Sequence, residues 1–143
     1  MPRTKHNFDY YIKEVRVLAE QGVAIWNSGL TKAQVNDIEK IQKVALKIIL
    51  GDQYKTYDKA CHYFDTEKLS LRRLKLCTNY AIKLYQSDRS ADFFTPTNKT
   101  VTRGDHPLLA EDTCRTARCY NAPHNYLTRL VNQNEGRLKL STK

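Results

Sequence analysis

Hydrophobic residues fall at helical spacing along most of the chain. The clearest run is Thr31–Gly51, with apolar positions at Val35, Ile38, Ile41, Ala45, Ile48 and Ile49. Steps of three and four place these on one helical face, which puts Ile41 at the centre of a core. Thr31 with Gln34 three residues later forms a capping-box pattern, and Leu30 with Val35 a hydrophobic staple. Gly51 supplies the stop, since glycine adopts positive φ without a Cβ clash. Lys32, Asn36, Glu39, Lys40, Lys43 and Lys47 fall on the opposite, solvent side.

A second pattern runs through Phe8, Tyr11, Ile12, Val15, Leu18 and Ala19 and weakens at Gly22. Asn27-Ser28-Gly29 is a turn signal. So short a link makes the first two helices antiparallel neighbours. Thr56 caps a short helix bearing Tyr57, Ala60, Tyr63 and Phe64, and Ser70 a longer one with Leu71, Leu74, Cys77, Ala81 and Leu84 inward. Residues 95–105 have no period and read as loop, and Pro123 suits the first turn of a last helix.

The expected fold is therefore all-α, a small bundle of four to five helices with an irregular loop before the C-terminal helix. Its helical core is residues 1–94, with helices at about 8–27, 31–50, 56–64 and 70–86. Residues 95–123 form the loop, and 124–143 a short helix and tail, in one domain overall. Residues 1–7 read as a loose tail.

Composition narrows the function. The chain has 143 residues with 41% hydrophobic and 10% aromatic side chains, enough for a folded core. A net charge of +9 favours an acidic partner, nucleic acid being the commonest. No stretch approaches the roughly 18 apolar residues of a membrane span, and MPRTKHNFDYY lacks the apolar stretch of a secretion signal. The expectation is an intracellular chain with reduced thiols and no membrane partner.

Candidate chemistry is sparse. His106, Cys114, Cys119 and His124 stand as H-x7-C-x4-C-x4-H, which departs from the short paired spacings of zinc sites. The expected reading is no metal, no cofactor, two incidental thiols and two surface histidines. No nucleophile motif or glycine-rich phosphate loop occurs, and no Asp-Asp pair stands ready to hold two metal ions.

Basic residues are the one excess. They sit on two helices, Lys40, Lys43 and Lys47 on one and Arg72, Arg73 and Lys75 on the other, with Arg103, Arg115, Arg118 and Arg129 further on. Tyrosines at 54, 57, 63, 80, 85, 120 and 126 are interleaved, a composition that can track a phosphate backbone and stack bases. Tyr63 and Tyr80 are better read as cover for the core edge.

Four segments carry a resemblance. The pieces VAIWNSGLT, IEKIQKVALKIILG with Tyr54 and Tyr57 after it, LSLRRLKLC and CRTARCYN-x-P stand in the same order as in the C-terminal part of non-LTR retrotransposon reverse transcriptases of the jockey-like kind. The likeness spans roughly residues 9–134. It implies the thumb-side and post-thumb helical region of an RNA-directed DNA polymerase, downstream of the Tyr-x-Asp-Asp motif, for which nothing here matches. On that basis the expected role is non-catalytic. The chain would contact RNA or an RNA–DNA duplex weakly through phosphates, with Lys40, Lys43, Lys47, Arg72, Arg73 and Lys75 as the contacts. An upstream polymerase domain would be its partner. MPRTKHNF does not resemble palm sequence, which suggests a truncated or separately expressed relic. The rival expectation is a helical protein-interaction module that self-associates through exposed apolar surface, or a transposon relic with no function of its own.

Overall fold

The computed structural model describes residues 2–97 and 109–134. Among them the regular structure is helical, and the one β feature is an isolated antiparallel bridge between Pro96 and Leu109. The chain divides into two compact units. The first holds the residues up to Val23 with Leu30–Leu74, and the second holds Ala24–Gly29 with the residues from Lys75 onward.

The first unit begins with α1 (Pro2–Tyr10), so the segment expected to be a loose tail is helical. A π-helical stretch, Tyr11–Arg16, follows, then α2 (Val17–Glu20). A π turn carries more residues per turn than an α turn. One turn after Tyr11 the chain therefore presents Arg16, not Val15, to the interior. Val15 and Leu18, expected inward, are exposed, while Arg16, Ala19 and Glu20 are partly buried. The helix expected to run to about residue 27 stops at Gln21, and Gly22 takes a φ of +65° before α3 (Val23–Trp26).

The long helix α4 (Lys32–Leu50) has the expected ends. Thr31 N donates to Gln34 Oε1 at 2.9 Å and Gln34 N to Thr31 Oγ1 at 3.3 Å, and Gly51 closes the helix at φ +52°. Its rotation differs from expectation. The buried positions are Glu39, Gln42, Leu46 and Leu50. Ile41 is 41% exposed and Ile48 76%, so neither is central to the core. Glu39, expected on the solvent face, is buried. The reason is that α4 carries apolar residues on several sides. Period alone cannot choose its phase, and the partners of Glu39 and Gln42 do.

Around Leu46 and Leu50 pack Ala60 and Cys61 of α5 (Tyr57–Tyr63), with Phe8, Tyr54, Tyr57 and Phe64 closing the edge. The rings of Phe8 and Phe64 stack at 4.1 Å. Thr56 caps α5 as expected, its hydroxyl accepting from Lys59 N at 3.3 Å. The helix ends in a Schellman pattern. Asp65 takes the positive φ of +49°, Asp65 N donates to His62 O, and Thr66 N donates to Cys61 O. Next comes α6 (Leu69–Tyr85), whose residues 69–74 belong to this unit and whose remainder belongs to the second.

In the second unit Cys77 and Ala81 of α6 are fully buried. A single turn, α7 (Ser90–Phe93), precedes the buried Phe94. The bridge at Pro96 and Leu109 leads to a segment without regular structure, then α8 (Ala117–Tyr120) and α9 (Pro123–Gln133). Pro123 stands at the helix start as expected. Leu127, Leu130 and Val131 of α9 are its buried apolar face. Asn132 of α9 grips the backbone of Leu109 from both sides, accepting from its N–H at 2.9 Å and donating to its carbonyl at 3.1 Å.

Candidate functional site

The six basic residues singled out above meet different fates. Lys40, Lys43 and Lys47 all project from the exposed side of α4. At 1.5 Å of rise per residue the row is roughly 10 Å long. Lys40 Nζ lies 2.7 Å from Asp37 Oδ1, with both side chains largely in solvent. Such a pair contributes little and yields readily to a competing anion. Lys43 Nζ sits 5.3 Å from the centre of the Tyr57 ring.

The α6 residues do not join that row. Arg72 Nε donates to Glu20 Oε1 at 2.7 Å, and the same oxygen lies 3.4 Å from Arg16 Nε. Two guanidinium groups thus share one carboxylate. Burial, and then the charge of Arg72, push the Arg16 guanidinium down from its ordinary range. Arg73 is only 2% exposed, and its Nε and Nη1 find no hydrogen-bond partner among the described residues. It was expected off the apolar stripe, free to meet phosphate, and its burial removes it from any surface contact. Lys75 is exposed. Tyr63 and Tyr80, expected to cover the core edge, are about half exposed.

Beside the lysine row stands an apolar one. Ile41, Val44 and Ile48 each directly follow one of these lysines, and all three are exposed. The outer surface of α4 is thus a lysine strip bordered by an aliphatic strip.

Beneath it lies a buried polar node that sequence reasoning missed. Glu39 accepts hydrogen bonds from Leu69 N at 3.1 Å, from Ser70 N at 2.9 Å and from the Tyr57 hydroxyl. The carboxylate therefore sits at the N-terminus of α6, where the unpaired amides and the helix dipole both favour an anion. Gln42 accepts from the Tyr11 hydroxyl at 3.2 Å and donates to Glu67 O at 2.8 Å. Burial first, then the hydrogen bond to Glu39, push the Tyr57 phenol far up. Burial likewise pushes Tyr11 up to about 12. These groups satisfy one another and leave no reactive atom free, so the node is structural. Its only signal in the sequence is a pair of polar residues three apart, set between apolar positions.

Of the four candidate metal ligands, His106 lies outside the described residues. His124 Nε2 is engaged with Asp112 Oδ2 at 3.1 Å, away from the sulfurs. Among the described residues no three Cys, His, Asp or Glu side chains converge as a metal site would need. The two thiols are nevertheless not incidental. Cys114 and Cys119 hold their sulfurs 3.0 Å apart.

Comparison of the chain with family models, with curated proteins and with solved structures finds no match. Among the described residues, no helix is long and apolar enough to cross a membrane.

Proposed function

We propose that the chain is a non-catalytic helical module that holds nucleic-acid phosphates along the outer face of α4. The observation that carries this reading is the exposed row Lys40, Lys43 and Lys47 on one rigid helix, in a chain of net charge +9. Three ammonium groups at successive turns can follow one strand's phosphates. They carry no planar fork for base edges, so they position a duplex without reading it. The resemblance to the region downstream of a reverse-transcriptase palm supports the same role. There, such a face lies against template and primer. On this reading Lys75 is an auxiliary contact, and Arg72 and Arg73 serve the fold.

The test is a binding titration with a short RNA–DNA hybrid at several salt concentrations. Replacing Lys40, Lys43 and Lys47 with Gln should weaken binding equally for all sequences. It should lower the slope of log affinity against log salt by about three, near one per lost contact. The parent chain should bind with a Kd of about 10⁻⁴ to 10⁻⁶ M, the non-specific range. A triple variant that binds like the parent would sink the proposal.

The aliphatic strip Ile41, Val44 and Ile48 favours a second reading, a helical protein-interaction module that pairs through α4. Association through that strip would persist at high salt, whereas phosphate binding fades.

A further inference from the structure

The second unit carries a chemical feature that phosphate binding does not use. Cys119 sits in α8, a single turn capped by the Thr116 hydroxyl, which accepts from Cys119 N at 3.2 Å. That turn winds the chain back so that four intervening residues return one sulfur to within 3.0 Å of the other. This is inside the normal van der Waals separation of two sulfurs. A disulfide is about 2.05 Å long, so roughly 1 Å of movement separates the pair from a bond.

The surroundings hold this approach. Asn125, buried in the first turn of α9, donates through Nδ2 to Cys114 Sγ at 3.2 Å and to Cys119 O at 2.9 Å. One amide thus clasps both cysteines. His124 with Asp112 ties the chain just before Cys114 to α9. Arg129 over the Tyr120 ring, at 3.7 Å, ties α8 to the same helix. Both sulfurs are partly exposed, whereas Cys61 and Cys77 are buried.

We infer that Cys114 and Cys119 are a reversible dithiol–disulfide site, closed by a peroxide or a small-molecule disulfide and opened by a dithiol reductant. With hydrogen peroxide, the thiolate of one cysteine attacks the O–O bond, takes up one oxygen as a sulfenic acid, and releases the other as water. The second sulfur then displaces that oxygen as a second water and forms the S–S bond. The two thiols lose two electrons and two protons, and the peroxide takes up both. With a small disulfide, a mixed disulfide forms first, and the chain's second sulfur then expels the remaining small thiol. Asn125 is the positioning residue. It keeps the sulfurs at bonding range and directs an N–H at Cys114 Sγ.

The neighbouring Cys119 thiol, and after it desolvation, hold the Cys114 thiol up at about 11. That shift disfavours Cys114 as the attacking thiolate at neutral pH, and because a thiolate is the nucleophile whichever cysteine attacks, closure accelerates as the pH rises. Closure would fasten the segment from Cys114 to Cys119 as a ring against α9, on the clasp Asn125 already provides.

The experiment exposes the full chain to stoichiometric hydrogen peroxide and follows intact mass, free thiols and tryptic peptides. Trypsin cuts after Arg115 and Arg118, between the two cysteines. A closed pair therefore keeps two tryptic peptides together until reductant is added. The expected result is a loss of two hydrogens from the intact mass and a fall from four thiols to two. Cys61 and Cys77 should be labelled only after unfolding. Closure at pH 9 should be at least about tenfold faster than at pH 7. Cys114→Ser should abolish the linked peptide and leave Cys119 as a sulfenic acid that dimedone traps. Asn125→Ala should slow closure severalfold while helix content holds. Thiol loss from Cys61, Cys77 or cross-linked chains without the linked peptide would overturn the inference. So would stoichiometric zinc in the purified parent chain that is lost in Cys114→Ser. The parent chain's linked peptide decides the matter even if a variant fails to fold.

Discussion

The two units solve the same problem with different chemistry. Each has one helix that fastens a neighbouring stretch of backbone through buried or partly buried polar side chains. In the first unit the helix is α4, and its tool is a carboxylate. Glu39 receives two backbone amides at the start of α6, while Gln42 holds the carbonyl of Glu67 just before it. In the second the helix is α9, and its tools are neutral amides. Asn132 takes both polar groups of Leu109, and Asn125 takes the carbonyl of Cys119 and the sulfur of Cys114. The carboxylate meets a helix N-terminus, where charge is stabilised by orphan amides and dipole. Asn132 meets the bridge residue Leu109, whose N–H and carbonyl together match an amide, and Asn125 meets a carbonyl of the single turn α8 and the neighbouring sulfur. The difference teaches that the first clasp is electrostatic and sensitive to loss of a charge. The second is geometric and sensitive to what its sulfurs do.

The sharpest break of this comparison is Glu39→Ala. It strands two helix amides and the Tyr57 hydroxyl in the interior. The expected cost in a urea titration is about 3–5 kcal/mol, because three donors lose a charged acceptor at once and each hydrogen bond to a charged group is worth about 1.5–3 kcal/mol. A cost below 1 kcal/mol would mean that the carboxylate does not anchor α6. The matching change in the other unit, Asn132→Ala, frees one amide N–H and one carbonyl at the half-exposed end of α9. It should cost about 1–3 kcal/mol, less than the charged clasp. If Asn132→Ala proves the costlier of the two in the same titration, the ranking of charge over geometry is wrong.

Alkali bears on the first unit through two phenols and on the second through one, Tyr126, which burial also raises. Burial raises Tyr11 to about 12 and Tyr57 further, against an ordinary phenol near 10. A pKa raised in the folded state favours folding while the group is protonated. The stability is fully present below about pH 10 and drains as pH rises through the folded-state values. The first unit should thus loosen between about pH 10 and 12, and Tyr57→Phe should flatten that part of the profile. Unchanged stability of the parent chain across that window would contradict the buried placement of both rings.

The smallest effect is expected on the outside of α4. Ile41→Ala removes a side chain that is 41% in solvent and installs a better helix former. The change should cost less than about 1 kcal/mol. A loss of about 2 kcal/mol or more would restore Ile41 to the core and turn α4 by roughly 100° or more.

That last contrast marks where sequence ends and tertiary structure begins. The ends of α4 were decided by local chemistry, because a capping box needs only Thr31 and Gln34 and a stop needs only Gly51. The same holds for the Thr56 cap and for Pro123, whose fixed φ suits a helix start. All-helical character and the exposed lysine row were likewise legible in period and spacing. The phase of α4 was not. With aliphatic residues on several sides, its apolar pattern fits more than one rotation, and only the amides of Leu69 and Ser70, thirty residues away, select the one that buries Glu39. The π turn at Tyr11–Arg16 redirected the first helix in the same way, since a one-residue register change moves the buried face without altering composition. Arg73 reads as a surface cation and lies inside. Cys114 and Cys119 read as incidental and touch, because the single turn that reunites them depends on an amide contributed by α9. Local signals act over a few residues and survive in the chain. Phase, burial of charge and the meeting of sulfurs are set by partners distant in sequence, and exist once the chain has folded.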